Sequence, residues 1–137
     1  MAQASTLSFA AFKVELGDGA NPETFSAPCG LNSRGFTRTA ATNETNVPDC
    51  DDPDAFSWLD RDTTSMSASL TGSGVVADED FDRWESWIGK SRNVRITLGA
   101  RIWIGAFILT KLDVTGSRGT RTTFTASLES DGPVVLQ

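Results

Sequence analysis

Residues 65–75, SMSASLTGSGV, have the clearest structural pattern in this chain. Small or apolar residues occupy the even-numbered positions up to Gly74, and serine or threonine occupies the odd-numbered positions up to Ser73. A period of two, with one apolar and one polar face, predicts a half-buried antiparallel strand. Exposed strands usually mix lysine and glutamate into the polar face, whereas this face carries only hydroxyl groups. Its members are Ser65, Ser67, Ser69, Thr71 and Ser73.

A second segment, residues 121–129, repeats the pattern, with Thr123, Thr125 and Ser127 on its polar face. An ordinary solvent-facing strand is the simplest explanation of either face. Uncharged, wettable strips also suit the wall of a channel or close packing against another chain. These eight hydroxyl residues are therefore candidate lumen or interface residues.

An acidic segment, residues 44–62, precedes the first of these strands and is predicted to be a long loop. Its local charge of −6 equals the net charge of the whole chain. A connection of this length is usually functional or disordered, and Phe56 and Trp58 argue against disorder. The segment does not have the ligand spacing of an EF-hand calcium loop. Counted from Asp49, Pro53 stands at the fifth position, which needs an oxygen ligand, and Asp54 at the sixth, which needs glycine. The charged residues are Glu44, Asp49, Asp51, Asp52, Asp54, Asp60 and Asp62, with Arg61.

The length of 137 residues predicts a single domain, residues 1–137, that buries about two-thirds of its extended-chain surface. No apolar run approaches the length of about 20 residues that spans a bilayer, and the N-terminus lacks signal-peptide features. We therefore expect folding in a cytoplasm. The pI near 4.5 and the scattered basic residues oppose binding to nucleic acid.

One helix is predicted, at about residues 78–90. Asp78 is a suitable N-cap and Gly89 a suitable end, and Phe81, Trp84 and Ile88 share one face. Six to eight strands surround it in the sequence. The fold class is therefore mainly β, an antiparallel sandwich or partly open barrel with one flanking helix.

Residues 102–109, IWIGAFIL, are apolar on both faces. A small antiparallel domain rarely covers both faces of a strand by itself. Trp103 is therefore expected to lie either under the helix or in an interface with another subunit.

Catalysis and cofactor binding are not expected. The chain has no histidine or tyrosine, which removes the commonest general base and the commonest zinc ligand. Cys29 and Cys50 have no imidazole to activate them, and reduced thiols are their default state in a cytoplasm. A disulfide between them would close a loop and, on the chain-entropy model, stabilise the folded state by about 3 kcal/mol.

Several segments follow one another in an order that resembles that of a known protein family. They are residues 28–30 (PCG), 37–45, 47–54 (VPDCDDPD), 65–74, the helix with Phe81, Trp84 and Trp87, 92–98 and 112–128. In this succession the chain resembles the tail tube proteins, or major tail proteins, of long-tailed bacteriophages (siphophages). The similarity extends over nearly the whole chain, and residues 47–51 are its most specific part.

The resemblance implies a structural virion protein without catalytic residues, cofactor or metal, assembled in a bacterial cytoplasm. Family members form hexameric rings that stack into a hollow tube, through which DNA passes without specific binding. Lumenal strands of neighbouring subunits join into one barrel, and a long loop reaches the next ring. The expected protein partners are a tape measure protein, a tail terminator and baseplate or tail-tip proteins.

The resemblance also assigns roles to the residues described above. The expected inter-ring loop residues are Asp49, Asp51, Asp52, Asp54, Phe56, Trp58 and Asp60. Six like charges per subunit would repel across such a ring unless cations of the next subunit match them, so the expected cationic partners of the loop on a neighbouring subunit are Arg34, Arg38, Arg92, Arg95 and Arg101. Two alternatives remain open, an acidic β-sandwich that binds carbohydrate through exposed tryptophans and a tail terminator or hub subunit that forms one ring.

Overall fold

The computed structural model describes residues 3–18 and 23–137, which form one antiparallel sheet of seven strands and one α-helix. The strand order across the sheet is β2-β1-β5-β6-β7-β4-β3, and the sheet is not closed. This confirms the predicted fold class. The elements are a 3-10 turn (Phe9–Ala11), β1 (Phe12–Gly17), β2 (Phe25–Ser26), β3 (Leu31–Val47), β4 (Trp58–Val75), α1 (Asp78–Trp87), β5 (Ser91–Leu98), β6 (Arg101–Thr115) and β7 (Thr123–Leu136).

The chain divides into two compact units, which we call the body and the hairpin. The body comprises Met1–Thr37 and Ala68–Gln137, and the hairpin comprises Arg38–Ser67. The hairpin contains the last part of β3, the first part of β4 and the loop between them, residues 48–57, which we call the tip. Within the described residues, no helix is long and apolar enough to cross a membrane.

The body has one apolar core, built from the inward faces of its strands and one face of the helix. Val14 of β1 and Leu70 of β4 line the same small cavity, although β5, β6 and β7 lie between these strands in the sheet. The body sheet therefore folds over on itself in the manner of a sandwich. The buried apolar residues are Val14, Leu16, Ala68, Leu70, Trp84, Trp87, Val94, Ile96, Trp103, Phe107, Leu109, Phe124, Ala126 and Leu128.

The helix packs on this core through two tryptophans. Trp84 and Trp87 stack with ring centroids 5.8 Å apart, and Trp84 also contacts Phe124. The Trp87 indole Nε1 donates a hydrogen bond to the Phe107 carbonyl oxygen at 3.3 Å. The predicted apolar face was therefore partly wrong, because Trp87 is fully buried whereas Ile88 is 42% exposed.

The helix ends three residues earlier than predicted. Ile88 has extended backbone angles and pairs with Leu109, and Gly89 has a φ of 77°, a left-handed conformation that favours glycine. The N-cap of the helix is Ala77, whose side chain forms no capping hydrogen bond, so the predicted N-cap at Asp78 was also wrong. Asp80 of the first turn instead accepts a hydrogen bond from the Cys29 backbone N–H at 2.7 Å.

The boundaries of the acidic loop also differ from the prediction. The predicted loop covered residues 44–62, but β3 continues to Val47 and β4 starts at Trp58. Valine, tryptophan and threonine favour strands, and Arg61 on β4 donates to Glu44 on β3 at 3.0 Å. Three of the carboxylates therefore belong to strands, and the remainder lie at the tip.

Trp103 is buried within the body. It is 7% exposed, and its ring lies 5.6 Å from that of Phe36 on β3. The opposite face of β6, with Ile102, Ile104 and Ile108, is only half-buried. Trp103 was expected either under the helix or in an interface with another subunit. It is buried within the chain, and the Phe36 ring of β3 forms part of its surroundings.

Candidate assembly surfaces

The hydroxyl rows predicted from the sequence come together in the body. In the pairing of β4 with β7, Thr71 lies opposite Ser127 and Ser73 lies opposite Thr125. Residues directly opposite in an antiparallel pair project from the same side of the sheet. We call this side the hydroxyl face, formed by Ser69, Thr71, Ser73, Thr123, Thr125 and Ser127.

The hydroxyl face continues onto β6, where its charges are few and partly matched. Lys111 lies opposite Ser127 and Asp113 opposite Thr125, and their side chains form an ion pair at 3.3 Å. Glu129 lies opposite Ser69. The sheet here is therefore wettable and nearly neutral. Ser65 and Ser67, which the prediction placed on the same strip, belong to the hairpin.

Two strand edges in this region have no partner among the described residues. The sheet order ends at β3, which leaves one side of that strand unpaired. On β6, pairing with β5 covers Arg101 to Ile108, whereas residues 111–115 pair only with β7. Exposed edges are templates for pairing with another chain.

The tip is shaped by one aspartate. The Asp49 carboxylate accepts hydrogen bonds from the backbone N–H of Asp51 at 2.9 Å and of Asp52 at 3.4 Å, and a further turn joins Ala55 to Asp52. Such Asx turns favour a compact loop. The predicted loop residues Asp49, Asp51, Asp52 and Asp54 therefore share the tip with Phe56, while Trp58 and Asp60 begin β4.

An exposed aromatic pair occupies the same end of the hairpin. Phe56 and Trp58 contact edge to face with centroids 6.1 Å apart, and they are 82% and 76% exposed. Together with Val47 and Pro48 they line a shallow groove of about 450 Å³. Large apolar groups this exposed indicate an interaction surface, because a partner that covers them removes apolar surface from water and so stabilises the complex.

The described residues contain no group of three or more histidine, cysteine, aspartate or glutamate side chains arranged to hold a metal ion. Both cysteines are free thiols and are exposed, Cys29 in the body and Cys50 at the tip.

The expected cationic partners differ in their availability. Arg34 donates to the Phe9 carbonyl oxygen at 3.3 Å and stacks over the Phe9 ring, and burial lowers the pKa of its guanidinium. Arg95 is paired with Glu15 at 2.7 Å. Arg38 belongs to the hairpin. The side chains of Arg92 and Arg101 form no hydrogen bond or ion pair with a described residue.

Two cations that the sequence analysis did not select lie in the loop between β6 and β7. Arg118 and Arg121 are exposed, and neither forms a hydrogen bond or ion pair with the described part of the chain. An open cleft of about 590 Å³ beside them is lined by Val75, Val76, Thr120, Arg121 and Thr122. The two arginines lie three residues apart in the sequence, but only the fold places Val75 and Val76 beside Arg121.

Comparison with known proteins identifies one family. The family model described as phage tail tube protein matches residues 6–136, which is nearly the whole chain. A comparison with curated proteins finds no match.

Solved structures with the same fold are distant in sequence. The tail of an empty gene transfer agent (GTA) particle, with C6 symmetry, aligns with a TM-score of 0.78 at 20% identity, covering 96% of this chain and 99% of that one. The SPP1 tail tube aligns at 0.62 and 14% identity, covering 96% and 79%. The tube-terminating cap of the anti-feeding prophage aligns at 0.62 and 15% identity, covering 100% and 94%.

Proposed function

The chain belongs to the phage tail tube protein family and is a structural component of a virion tail, and from this we propose that it forms stacked hexameric rings. The whole chain, residues 1–137, then acts as one tail-tube-like domain in which the body builds the ring and the hairpin contacts a neighbouring subunit. The single observation that carries the proposal is the in-register hydroxyl face on strands with free edges.

The hydroxyl face suits the wall of a DNA conduit. A basic wall would bind phosphates and arrest the polymer, whereas a strongly apolar wall would not be wetted. Thr71, Thr125 and Ser127 present hydroxyl groups, and the Lys111–Asp113 pair contributes no net charge. We propose that this face lines the lumen and that DNA passes along it without specific binding.

Ring closure follows from the two unpaired edges. The free edge of β3 in one copy pairs with residues 111–115 of β6 in the next copy, which extends the sheet around the ring. Strand directions alternate from β3 through β4 and β7 to β6, so the new pair continues the antiparallel pattern. A closed barrel removes the exposed edges. The C6 symmetry of the GTA tail, which has the same fold, supports six copies.

The further partners are those of a tail. Caps and baseplates contain chains of this fold, as in the anti-feeding prophage, which supports contacts with a tail terminator and with baseplate or tail-tip proteins. A tape measure protein inside the growing tube is a further proposed partner. Like the rest of the family, the subunit is proposed to have no enzymatic activity.

A second candidate is a terminator or hub subunit that forms one ring, favoured by the likeness to the prophage cap. The carbohydrate-binding alternative has less support, because Trp84, Trp87 and Trp103 are buried and Trp58 is the exposed tryptophan.

Negative-stain electron microscopy of the purified protein tests the proposal. We expect hollow tubes of stacked rings, and sixfold symmetry in end views. Isolated rings that never stack would favour the terminator or hub. A dispersed monomer at all protein concentrations, with retention on a glycan column, would contradict the tube proposal.

A further inference from the structure

The tip presents two kinds of group that a partner would have to match. Phe56 and Trp58 are largely exposed, and four aspartates lie within or beside the same loop. Among the described residues none of these four carboxylates forms an ion pair, and Arg61 of the hairpin is paired with Glu44. A fitting partner surface is therefore apolar at its centre and cationic at its rim.

The cleft beside the β6–β7 loop has this character. Val75 and Val76 supply apolar surface, and Arg121 forms one wall. Arg118 stands in the same loop, and neither arginine is paired within the described chain. At about 590 Å³ the cleft has room for an aromatic side chain. Arginine also binds well over an aromatic face, so Arg121 can contact both the ring and a carboxylate.

We propose that the tip of one copy docks into the Val75–Arg121 cleft of a second copy, with the aromatic pair against the valines and Asp51 and Asp52 facing Arg118 and Arg121. The aromatic pair and both arginines are exposed, so both surfaces are accessible to a second copy. The inference rests on the proposed function and names the surface that receives the hairpin.

The geometry of such a contact favours stacking. Tip and cleft are different surfaces of the same chain, so their association is heterologous. The copy at each end of an open assembly then has an unused tip or cleft that can bind a further copy. Heterologous contacts that do not close generate open assemblies, whereas a self-complementary contact would stop at a dimer. Docking between copies in adjacent rings therefore adds one ring to the next.

Disulfide trapping tests the proposal, because the tip carries its own thiol. Cys50 is exposed at the tip, and Thr122 lines the cleft. In a Cys29→Ser background, Thr122→Cys should give a ladder of covalent multimers under oxidised glutathione. The matched control is Ala100→Cys, in an exposed turn of the body. We expect at least tenfold more cross-linked protein from Thr122→Cys than from the control. Equal yields, or no ladder at any protein concentration, would overturn the docking.

Charge exchange gives a second, independent readout. Arg118→Glu with Arg121→Glu should leave rings but reduce tube length at least tenfold, and adding Asp51→Lys with Asp52→Lys should restore growth. Lys13→Glu with Lys90→Glu makes the same change in net charge at exposed lysines that do not line the cleft. Full-length tubes from the Arg118/Arg121 variant would overturn the docking alone. Wild-type protein that forms neither rings nor tubes would overturn the proposed function as well.

Discussion

At the scale of single residues, the four tryptophans divide into structural and interaction roles. Trp87 is fully buried, stacks on Trp84 and satisfies the Phe107 carbonyl oxygen. Trp58 is 76% exposed and touches Phe56. The same residue type thus stabilises the monomer at one position and remains available for a partner at another.

Replacement of these tryptophans should separate the two roles. Trp87→Ala leaves a cavity and removes the hydrogen bond to the Phe107 carbonyl oxygen, so the free energy of unfolding should fall by about 3–5 kcal/mol. Trp58→Ala should change it by less than about 0.5 kcal/mol. Urea denaturation of the dispersed subunits measures both values. A similar loss for the two variants would show that Trp58 is covered in the monomer.

At the scale of elements, the hairpin lacks the internal support that the body has. Every residue from Arg38 to Ser67 is exposed. The ion pair that joins Arg61 to Glu44 in the hairpin has side chains 59% and 50% exposed, and such pairs contribute about 0–1 kcal/mol at most. A two-stranded hairpin by itself is marginally stable in water. The hairpin should therefore gain most of its stability on assembly.

Hydrogen exchange checks this expectation. In the dispersed subunit the hairpin amides should exchange at least tenfold faster than those of β5 and the paired part of β6, which lie inside the sheet. In assembled tubes the hairpin should become protected, while the protection of β5 changes little. Hairpin amides that are already as slow as β5 in the dispersed subunit would contradict the prediction.

At the scale of the whole molecule, the charge distribution sets how subunits meet. The net charge of −6 is concentrated in residues 44–62, and the remaining acidic and basic residues balance. Six like charges per subunit repel across a ring unless salt screens them or cations of a neighbour match them. The unpaired arginines of the β6–β7 loop can supply that match.

Charge reversal at the tip should therefore impair assembly and leave folding intact. Asp51→Lys with Asp52→Lys removes two exposed carboxylates whose side chains hold no structural bond. We expect an unchanged melting temperature and a large loss of tubes by electron microscopy. Asp82→Lys with Glu85→Lys, on the exposed side of α1, makes the same change in net charge. Normal tubes from the tip variant, or equal loss from both, would contradict the prediction.

The sequence alone determined the local features. Alternation at residues 65–75 indicated a half-buried strand, which is observed from Ala68 onward, whereas Met66 is 74% exposed. The helix was found from its tryptophans and acidic first turn. The acidic composition of residues 44–62 was also readable, because strand period, capping preference and charge act over a few neighbouring residues.

The tertiary structure decided everything that depends on strand order and register. It placed β4 beside β7 and so brought Thr71 opposite Ser127, and it turned Trp87 rather than Ile88 into the core. It also engaged Arg34 and Arg95 within the chain while leaving Arg118 and Arg121 beside a cleft. These outcomes arise from contacts between residues far apart in the chain, which no local pattern specifies.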